Sequence, residues 1–329
     1  HLSIADSFVS AILVFMAMDI TLQDFKSRPQ AIIFSDLHIG PGIFRGSNGD
    51  EDMLERTLGV LKDIWRLCKR LEVRSLICAG DLFDQANMIS IRAMDKTVLT
   101  VSQLQHDYSL DFILLTGNHD LGSANVDGRS SYFSSINVLQ HAGLATIVDN
   151  KIIRLHNTLL GFVPYMLKPL ANMADMLERL DHMLFSDSDN AYIVVHQTPT
   201  INTLNLPADF DGEGIANPRI GYISGHIHKP SAGLKGRILG SPCHLSADDK
   251  GQTKYVYTLL EDGSIRAIPS NYSTVRAHIV QELAALKADP ESEQAPEDGV
   301  YASPDVWAIM AEYAKNDQML LVYIQQHLA

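Results

Sequence analysis

Five short clusters of acidic, imidazole and amide side chains stand out as groups that could carry chemistry. They are Asp36-Leu37-His38, Gly80-Asp81-Leu82-Phe83-Asp84, Gly117-Asn118-His119-Asp120, His196 and Gly225-His226-Ile227-His228. Carboxylate oxygens together with imidazole nitrogens favour borderline divalent metals such as Mn²⁺, Fe²⁺ or Zn²⁺ over Ca²⁺, which prefers oxygen alone. The ligand-type side chains in these clusters are too many for one ion and suit two ions that share a bridging ligand.

Each cluster taken alone has an ordinary structural explanation. An Asp-x-His sequence is usually part of a loop, and a single histidine after an apolar strand, such as His196, is more often structural. Gly117-Asn118-His119 alone is compatible with a turn closed by an Asx hydrogen bond. All five clusters, however, follow a predicted strand, and the carboxyl ends of strands are where open α/β folds gather site residues. This shared position favours one common site.

Strands and helices alternate in the pattern of residues 30–200, and short strands dominate after residue 217. Apolar runs predict strands at 31–35, 75–79, 111–116, 145–148, 159–163, 191–195, 219–224, 237–239, 255–260 and 264–268. Amphipathic spacing predicts helices at 51–71, 89–106, 132–141 and 170–184. Alternation that turns into consecutive strands predicts an α/β fold, in which helices flank a mixed-sheet β-sandwich.

The composition excludes several classes of protein. Hydrophobic residues make up 46% and charged residues 20% of the 329 residues, which excludes a disordered, collagen-like or coiled-coil chain. With 26 basic and 39 acidic residues, the net charge is −13. Such a charge repels nucleic acid unless metal ions or a partner compensate it. Scattered bases usually lie on a solvated surface, but those near the clusters could ease the repulsion locally: Arg45, Arg129, Lys229, Lys235 and Arg237.

Residues 1–29 are predicted to be a separate N-terminal segment. Their apolar run, residues 8–18, is shorter than the roughly 20 residues that a membrane span needs. The first basic residue is Lys26, so the run lacks the basic flank of a secretory signal. We interpret the run as a short buried helix or as non-native sequence, with Met18 as a candidate start. Three scattered cysteines are too few for a disulfide framework, so we expect a cytoplasmic protein with no membrane association.

The pattern changes after residue 270. A helix is predicted at 275–288, followed by an acidic stretch at 289–298 that has little to bury and favours a linker. Residues 304–329 read as a small amphipathic unit, either a docked lid or a partner-binding helix pair. The expected organisation is a core at 30–270, a helix and acidic linker at 271–303, and a small C-terminal helical appendage at 304–329.

The order of the clusters resembles that of the calcineurin-like binuclear metallophosphoesterases, over residues 30–270. The resemblance implies a pair of divalent cations, with Mn²⁺ as the expected metal. Two such cations activate water and neutralise a phosphoryl group, while a positioned imidazole protonates the leaving oxygen. The resemblance implies that His119 is this substrate-facing catalytic residue and that the Asp120 carboxylate orients it. The implied metal ligands are Asp36, His38 and His228 for one ion, Asn118, His196 and His226 for the other, and Asp81 as the bridge.

Departures from the family pattern narrow the expected substrate. Gln85 stands where protein Ser/Thr phosphatases have Arg, and Asp120 replaces their Glu, which argues against a phosphoprotein phosphatase. Residues 219–249, which include Gly240-Ser241-Pro242, resemble SbcD-type and phage recombination nucleases. That resemblance implies a metal-dependent DNA exo- and endonuclease subunit in recombination and double-strand-break processing. It also implies an SMC-like ATPase partner bound through residues 304–329, and it leaves a homodimer open.

Two other functions stay open on the sequence. One is a stand-alone small-molecule phosphodiesterase, for instance on cyclic nucleotides, which would use the same metals and need no partner helix. The other is a non-catalytic scaffold, against which the complete ligand set argues.

Among the remaining histidines, which we interpret as structural, His244 is the one whose surroundings could reveal a role.

Overall fold

A computed structural model describes residues 20–46, 49–86, 89–122, 134–186, 189–201, 206–246, 249 and 252–270. These residues belong to one compact unit, Asp19–Thr274. The apolar run 8–18, the predicted helix and linker at 271–303 and the C-terminal unit 304–329 lie outside the described residues, as do Arg129 and the side chain of Arg45.

The described chain contains four α-helices and fourteen strands, together with a short 3₁₀ helix at Leu22–Asp24. The helices are α1 (Met53–Arg70), α2 (Ile91–Asp107), α3 (Asn137–His141) and α4 (Leu170–His182). The strands are β1 (Pro29–Phe34), β2 (Ile43–Gly46), β3 (Gly49–Asp52), β4 (Ser75–Cys78), β5 (Asp111–Leu114), β6 (Thr146–Ile147), β7 (Ile152–Leu155), β8 (Thr158–Val163), β9 (Asn190–Val195), β10 (Ile220–Ser224), β11 (Ser231–Ala232), β12 (Gly236–Ile238), β13 (Tyr255–Leu260) and β14 (Ile265–Pro269).

Two six-stranded mixed sheets form the centre of the fold. The first has the strand order β14-β13-β1-β4-β5-β6, and its strands β1, β4, β5 and β6 run parallel. The second has the order β11-β12-β10-β9-β8-β7, with β12, β10, β9 and β8 parallel. The predicted α/β sandwich of mixed sheets flanked by helices is therefore confirmed.

Both faces of each sheet are covered by apolar side chains. Ile33 of β1, Ile77 of β4 and Val194 of β9 belong to one buried cluster between the sheets. Successive strand residues point to opposite faces, so Ile32 joins a different cluster, which includes Trp65 of α1. The outer face of the second sheet packs against α4 in a third cluster. This double coverage explains why the central strands read as nearly continuous apolar runs.

Helix α1 illustrates how the sequence sets an element's ends. The Asp52 side chain accepts a hydrogen bond from the backbone N–H of Leu54, 2.9 Å away, and so caps the first turn. Lys69 and Arg70 lie in the last turn, where positive charge favours the helix dipole. The predicted start at residue 51 was slightly early, because β3 extends to Asp52.

The structure adds elements that the sequence pattern did not predict. Strands β2 and β3 form a hairpin just before α1, and β7 pairs with β8 in antiparallel register. Of the predicted helix at 132–141, the structure describes residues 134–141, and helix α3 covers 137–141 of these. None of the helices in the described part of the chain combines the length and hydropathy that a bilayer crossing demands.

Candidate metal centre

The site lies where neighbouring strands of the two sheets end. Asp36 and His38 follow β1, Asp81 follows β4, and Asn118 follows β5, and these three strands are neighbours in the first sheet. His196 follows β9, and His226 and His228 follow β10, its neighbour in the second sheet. The structure thus brings together all seven residues that the sequence predicts as metal ligands.

The first group of donors consists of Asp36, His38 and His228, whose ligand atoms all lie within 4.8 Å of one another. The Nε2 atoms of the two histidines are 3.0 Å apart. Asp36 Oδ1 lies 4.0 Å from His38 Nε2 and 3.8 Å from His228 Nε2. Asp36 and His38 are buried, whereas 42% of the His228 side chain is exposed, so the group opens to solvent on the His228 side.

The second group consists of Asp81, His196 and His226, which also lie within 4.8 Å of one another by their ligand atoms. The amide of Asn118 joins them, because its Oδ1 lies 3.1 Å from His196 Nε2 and 2.9 Å from His226 Nδ1. Asp81 Oδ2 lies 3.1 Å from His196 Nε2. This arrangement offers one carboxylate, one amide oxygen and two imidazoles to a cation.

Asp81 faces both groups. Its Oδ2 lies 3.1 Å from His196 Nε2 in the second group and 3.7 Å from His38 Nε2 in the first. One carboxylate in that position can contact cations in both groups, as its predicted bridging role requires. Mixed oxygen and nitrogen donors in two adjoining groups fit a pair of borderline divalent cations.

His119 lies against the first group. Its backbone N–H donates to Asp81 Oδ1 over 2.8 Å, and its ring packs edge-on against the His38 ring with centroids 4.7 Å apart. Its Nδ1 forms a hydrogen bond with the backbone carbonyl of Asp84. A ring nitrogen of His119 also lies within 4.8 Å of ligand atoms of His38 and Asp81. The geometry therefore admits a metal ligand as well as the substrate-facing acid that the resemblance implies.

Asp120 does not orient His119 as predicted. Its carboxylate is fully buried, and both oxygens accept backbone hydrogen bonds. Oδ2 accepts from the N–H groups of Asp81 and Gly117 and Oδ1 from that of Phe83, each over 3.0 Å. Asp120 therefore ties the loop after β4 to the loop after β5. Its position next to His119 in the sequence suggested an orienting role, which the Asp84 carbonyl fills instead.

Partners of the histidine rings fix which nitrogen faces the site. Asp84 Oδ1 lies 3.5 Å from His38 Nδ1, on the side of the ring away from the first group. His196 Nδ1 lies 2.8 Å from the backbone oxygen of Ala79. Each contact leaves Nε2 directed at the other donors, which is the usual arrangement around metal-binding histidines. Asp84 was visible in the sequence as the second aspartate of the Gly80–Asp84 cluster, but the sequence did not show that it contacts His38.

Tyr165 is a neighbour of the site that sequence reasoning missed. It follows β8, its ring is half-buried, and its centroid lies 5.6 Å from that of His226 and 6.5 Å from that of His196. No motif surrounds it, so no local pattern marked it as a site residue. The ring borders the second group of donors.

Close packing and unusual backbone conformations accompany the site. A Cβ atom at Gly80 would collide with the His196 ring, and one at Gly117 would collide with Asp81. Four of the predicted ligands adopt left-handed backbone conformations, with φ of 54° at Asp36, 52° at His38, 52° at Asp81 and 75° at His226. The loops thus turn sharply as they deliver side chains to the sheet edge.

Buried carboxylates and imidazoles shift one another's pKa values. Burial alone would lower the pKa of His196, but the Asp81 carboxylate and its neighbours outweigh burial and raise that pKa to about 9. Burial would raise the pKa of Asp81, yet the imidazoles of His196 and His38 hold it below its usual range. Burial lowers the pKa values of His226 and His228. Asp81 therefore stays ionised at neutral pH, as a bridging carboxylate must.

Other singled-out residues lie in local contacts. His244 Nε2 lies 2.9 Å from the backbone oxygen of Gln252. Lys235 Nζ donates to the backbone oxygen of Asn217 over 3.2 Å. The guanidinium of Arg237 lies 5.4 Å above the centre of the Tyr257 ring. These contacts give the three residues structural roles.

The sequence and the site agree on one family. The family model of the calcineurin-like phosphoesterases matches residues 30–230. That match covers more than half of the chain, and the chain therefore belongs to the calcineurin-like phosphoesterase family. The family implies a metal-dependent hydrolase of phosphoesters with a dimetal centre, and the two groups of donors around Asp81 fit such a centre.

Solved structures resemble this chain at low sequence identity. A dimetal phosphatase from Danio rerio is 11% identical with a TM-score of 0.46, over 74% of this chain and 100% of that one. The protein TT1561 of Thermus thermophilus is 10% identical with a TM-score of 0.45, over 74% and 100%. The nuclease MPE of Pseudomonas putida is 13% identical with a TM-score of 0.35, over 72% and 87%. No curated protein matches the sequence. These likenesses identify no substrate.

Proposed function

We propose that this protein is a metal-dependent DNA exo- and endonuclease subunit that acts with an SMC-like ATPase in recombination and double-strand-break processing. The observation that carries the hydrolytic part is the placement of Asp81 between two groups of donor side chains. The proposal that DNA is the substrate rests on the sequence of residues 219–249, which resembles that of recombination nucleases.

The proposed ion sites follow from the two groups. Asp36, His38 and His228 would hold one ion, with Asp81 shared. Asn118, His196 and His226 would hold the other, and Mn²⁺ is the metal that we propose. When bound, the two cations would activate a water molecule and neutralise the phosphoryl oxygens.

His119 is the chain's own candidate for proton transfer. The alkoxide released from a diester is a poor leaving group unless its oxygen is protonated, and a positioned imidazole can supply that proton. The hydrogen bond from Nδ1 to the Asp84 carbonyl fixes the ring and its tautomer. Protonated His119 would then donate from Nε2 to the leaving oxygen, while the buried Asp120 holds the two loops in register.

The decisive experiment is digestion of linear double-stranded DNA by the purified protein with Mn²⁺, with and without the ATPase. We expect Mn²⁺-dependent degradation that the ATPase and ATP stimulate, and no activity in excess chelator. Asp81→Asn should lower turnover by ~10²–10³-fold, because one change weakens the stabilisation that both cations supply. An exposed aspartate, Asp175→Asn, is the matched control and should keep full activity. Undiminished hydrolysis in chelator would overturn the metal-dependent mechanism.

The net charge of −13 favours a second candidate, a stand-alone phosphodiesterase on small molecules such as cyclic nucleotides. An acidic surface repels a polyanion more strongly than a singly charged substrate. Turnover of cyclic nucleotides with Mn²⁺, together with inactivity on DNA in the presence of the ATPase, would favour this candidate over the nuclease.

A further inference from the structure

A buried ion pair lies beside the loop that follows β10 and contains His228, which we call the His228 loop. The side chain of Lys254, which immediately precedes β13, is only 2% exposed, and its Nζ lies 2.6 Å from Asp249 Oδ1. The Asp249 side chain is only 6% exposed. A buried charged pair is a poor source of stability by itself, because desolvation offsets most of the attraction. The contacts of this pair indicate a role other than stability.

The lysine contacts the backbone of a predicted metal ligand. Lys254 Nζ donates to the carbonyl oxygen of His228 over 3.0 Å and to Ser241 Oγ over 3.0 Å. The backbone N–H of Ser241 donates to the same His228 carbonyl over 3.1 Å. The Ser241 hydroxyl donates to it too, over 3.4 Å, so three donors converge on the backbone of the histidine that completes the first group.

The Gly240-Ser241-Pro242 segment packs against this point. Gly240 has a φ of 72°, and a Cβ atom there would lie 2.9 Å from the His228 carbonyl oxygen and 2.8 Å from Pro230. Only glycine allows the backbone to approach so closely in that conformation. The segment that the resemblance singled out therefore forms the wall against which the His228 loop rests.

The aspartate extends the same network along the chain. Asp249 Oδ2 accepts from the backbone N–H groups of Leu245 and Ser246 over 2.8 and 3.2 Å. Lys254 Nζ also donates to Gln252 Oε1 over 3.2 Å. One ion pair therefore organises several backbone and side-chain groups from Ser241 to Lys254 beside the His228 carbonyl.

We propose that Lys254 and Asp249 are positioning residues that fix the backbone of His228, and through it the ring that completes the site of Asp36 and His38. This role rests on the proposed function, in which Asp36, His38 and His228 hold one of two ions. Neither Lys254 nor Asp249 is among the proposed ligands. Their effect is confined to one ion site, because their contacts reach His228 and not the second group.

The test is Mn²⁺ binding to the full-length protein by titration calorimetry, with stoichiometry checked by elemental analysis. Lys254→Met leaves Asp249 buried and unpaired, so the double variant Lys254→Met/Asp249→Asn is measured beside it. We expect one ion to keep its wild-type affinity and the other to bind about 10–100-fold more weakly, the usual effect of losing a group that orients a ligand. Ser241→Ala, which keeps the ion pair, should weaken the affinity for the same ion by a smaller factor.

The matched control is Arg154→Met/Asp189→Asn, which removes an ion pair of 3.2 Å at the edge strand β7. The control should lower the melting temperature and leave both affinities unchanged. Wild-type affinity for both ions in the folded double variant and in Ser241→Ala would overturn the positioning role while the proposed function stands. An equal loss of affinity for both ions would overturn the positioning role as well. If the wild-type protein binds no Mn²⁺, both proposals fall.

Discussion

The His119 ring contacts both a predicted metal ligand, His38, and the backbone carbonyl of Asp84. If it is a general acid, His119→Ala should keep two metal ions and lose ~10²–10⁴-fold in turnover on a diester with a poor leaving group. A smaller loss is expected on an aryl phosphodiester, whose leaving group needs no proton. Metal analysis and kinetics on both substrates check this. Metal loss like that of His196→Ala would make His119 a ligand.

His196 makes metal binding depend on pH. Its pKa of about 9 means that the metal-free protein carries a proton on this buried ring at pH 7. An imidazole nitrogen must lose its proton before it can bind a metal. Mn²⁺ affinity should therefore rise with pH and level off above about pH 9. Calorimetry at pH 7 in buffers of different ionisation enthalpy should show proton release on binding, and an absence of release would contradict the assignment.

Sequence reasoning located the five clusters because each follows a strand with a clear apolar pattern, and the family resemblance then implied which of their residues are ligands. The runs before Asp36 and Asp81 are apolar on both faces, and side chains that follow adjacent parallel strands must meet at one edge. The contacts of Asp84, Tyr165 and Lys254 could not be predicted in this way. They depend on which loops face each other across the two sheets, which no local pattern records.

At the scale of the elements, the long central strands and helices were predicted well, whereas the short strands β2, β3, β7 and β11 were not. Strand β7 is a half-buried edge that contains Arg154, so it lacks the apolar run that marked β8. The β2–β3 hairpin contains several polar and glycine residues, which favoured a loop. For β7, weak burial and not weak pairing is what hid the strand from the pattern.

Helix α1 should contribute stability without affecting the chemistry. The Trp65 ring is buried, packs edge-on against Phe112 at 5.4 Å, and donates from Nε1 to the backbone oxygen of Tyr108 over 2.9 Å. Trp65→Ala should lower the free energy of unfolding by about 3–5 kcal/mol. Denaturant unfolding measures this, with the exposed Leu99→Ala as a control that should cost far less. Unchanged Mn²⁺ stoichiometry is expected, and its loss would mean that α1 also shapes the site.

At the scale of the whole molecule, the chain is acidic and its predicted partner segment lies at the C-terminal end. Deleting residues 299–329 should abolish binding to the ATPase and ATP-stimulated DNA degradation, because an amphipathic unit docks by its apolar face. Hydrolysis of a small aryl phosphodiester should continue at nearly the wild-type rate. Pull-down with the ATPase and both hydrolysis assays check this prediction.

The alternative for the same segment is a lid. In that case the deletion would lower the melting temperature and small-substrate turnover together. Wild-type affinity of the truncated protein for the ATPase would show that the partner binds elsewhere on the chain.

The left-handed conformations of Asp36, His38, Asp81 and His226 set a limit on how this protein can be improved. Each costs of the order of 1–3 kcal/mol for a residue other than glycine. The Asp36 and Asp81 side chains offset part of that cost by accepting hydrogen bonds from the backbone N–H groups of His226 and His119, so glycine would relieve backbone strain with less loss at His38 and His226. Selection for heat resistance alone can therefore favour the loss of these two histidines, and with them the loss of activity. A screen for robust variants of this enzyme has to demand catalysis at every round.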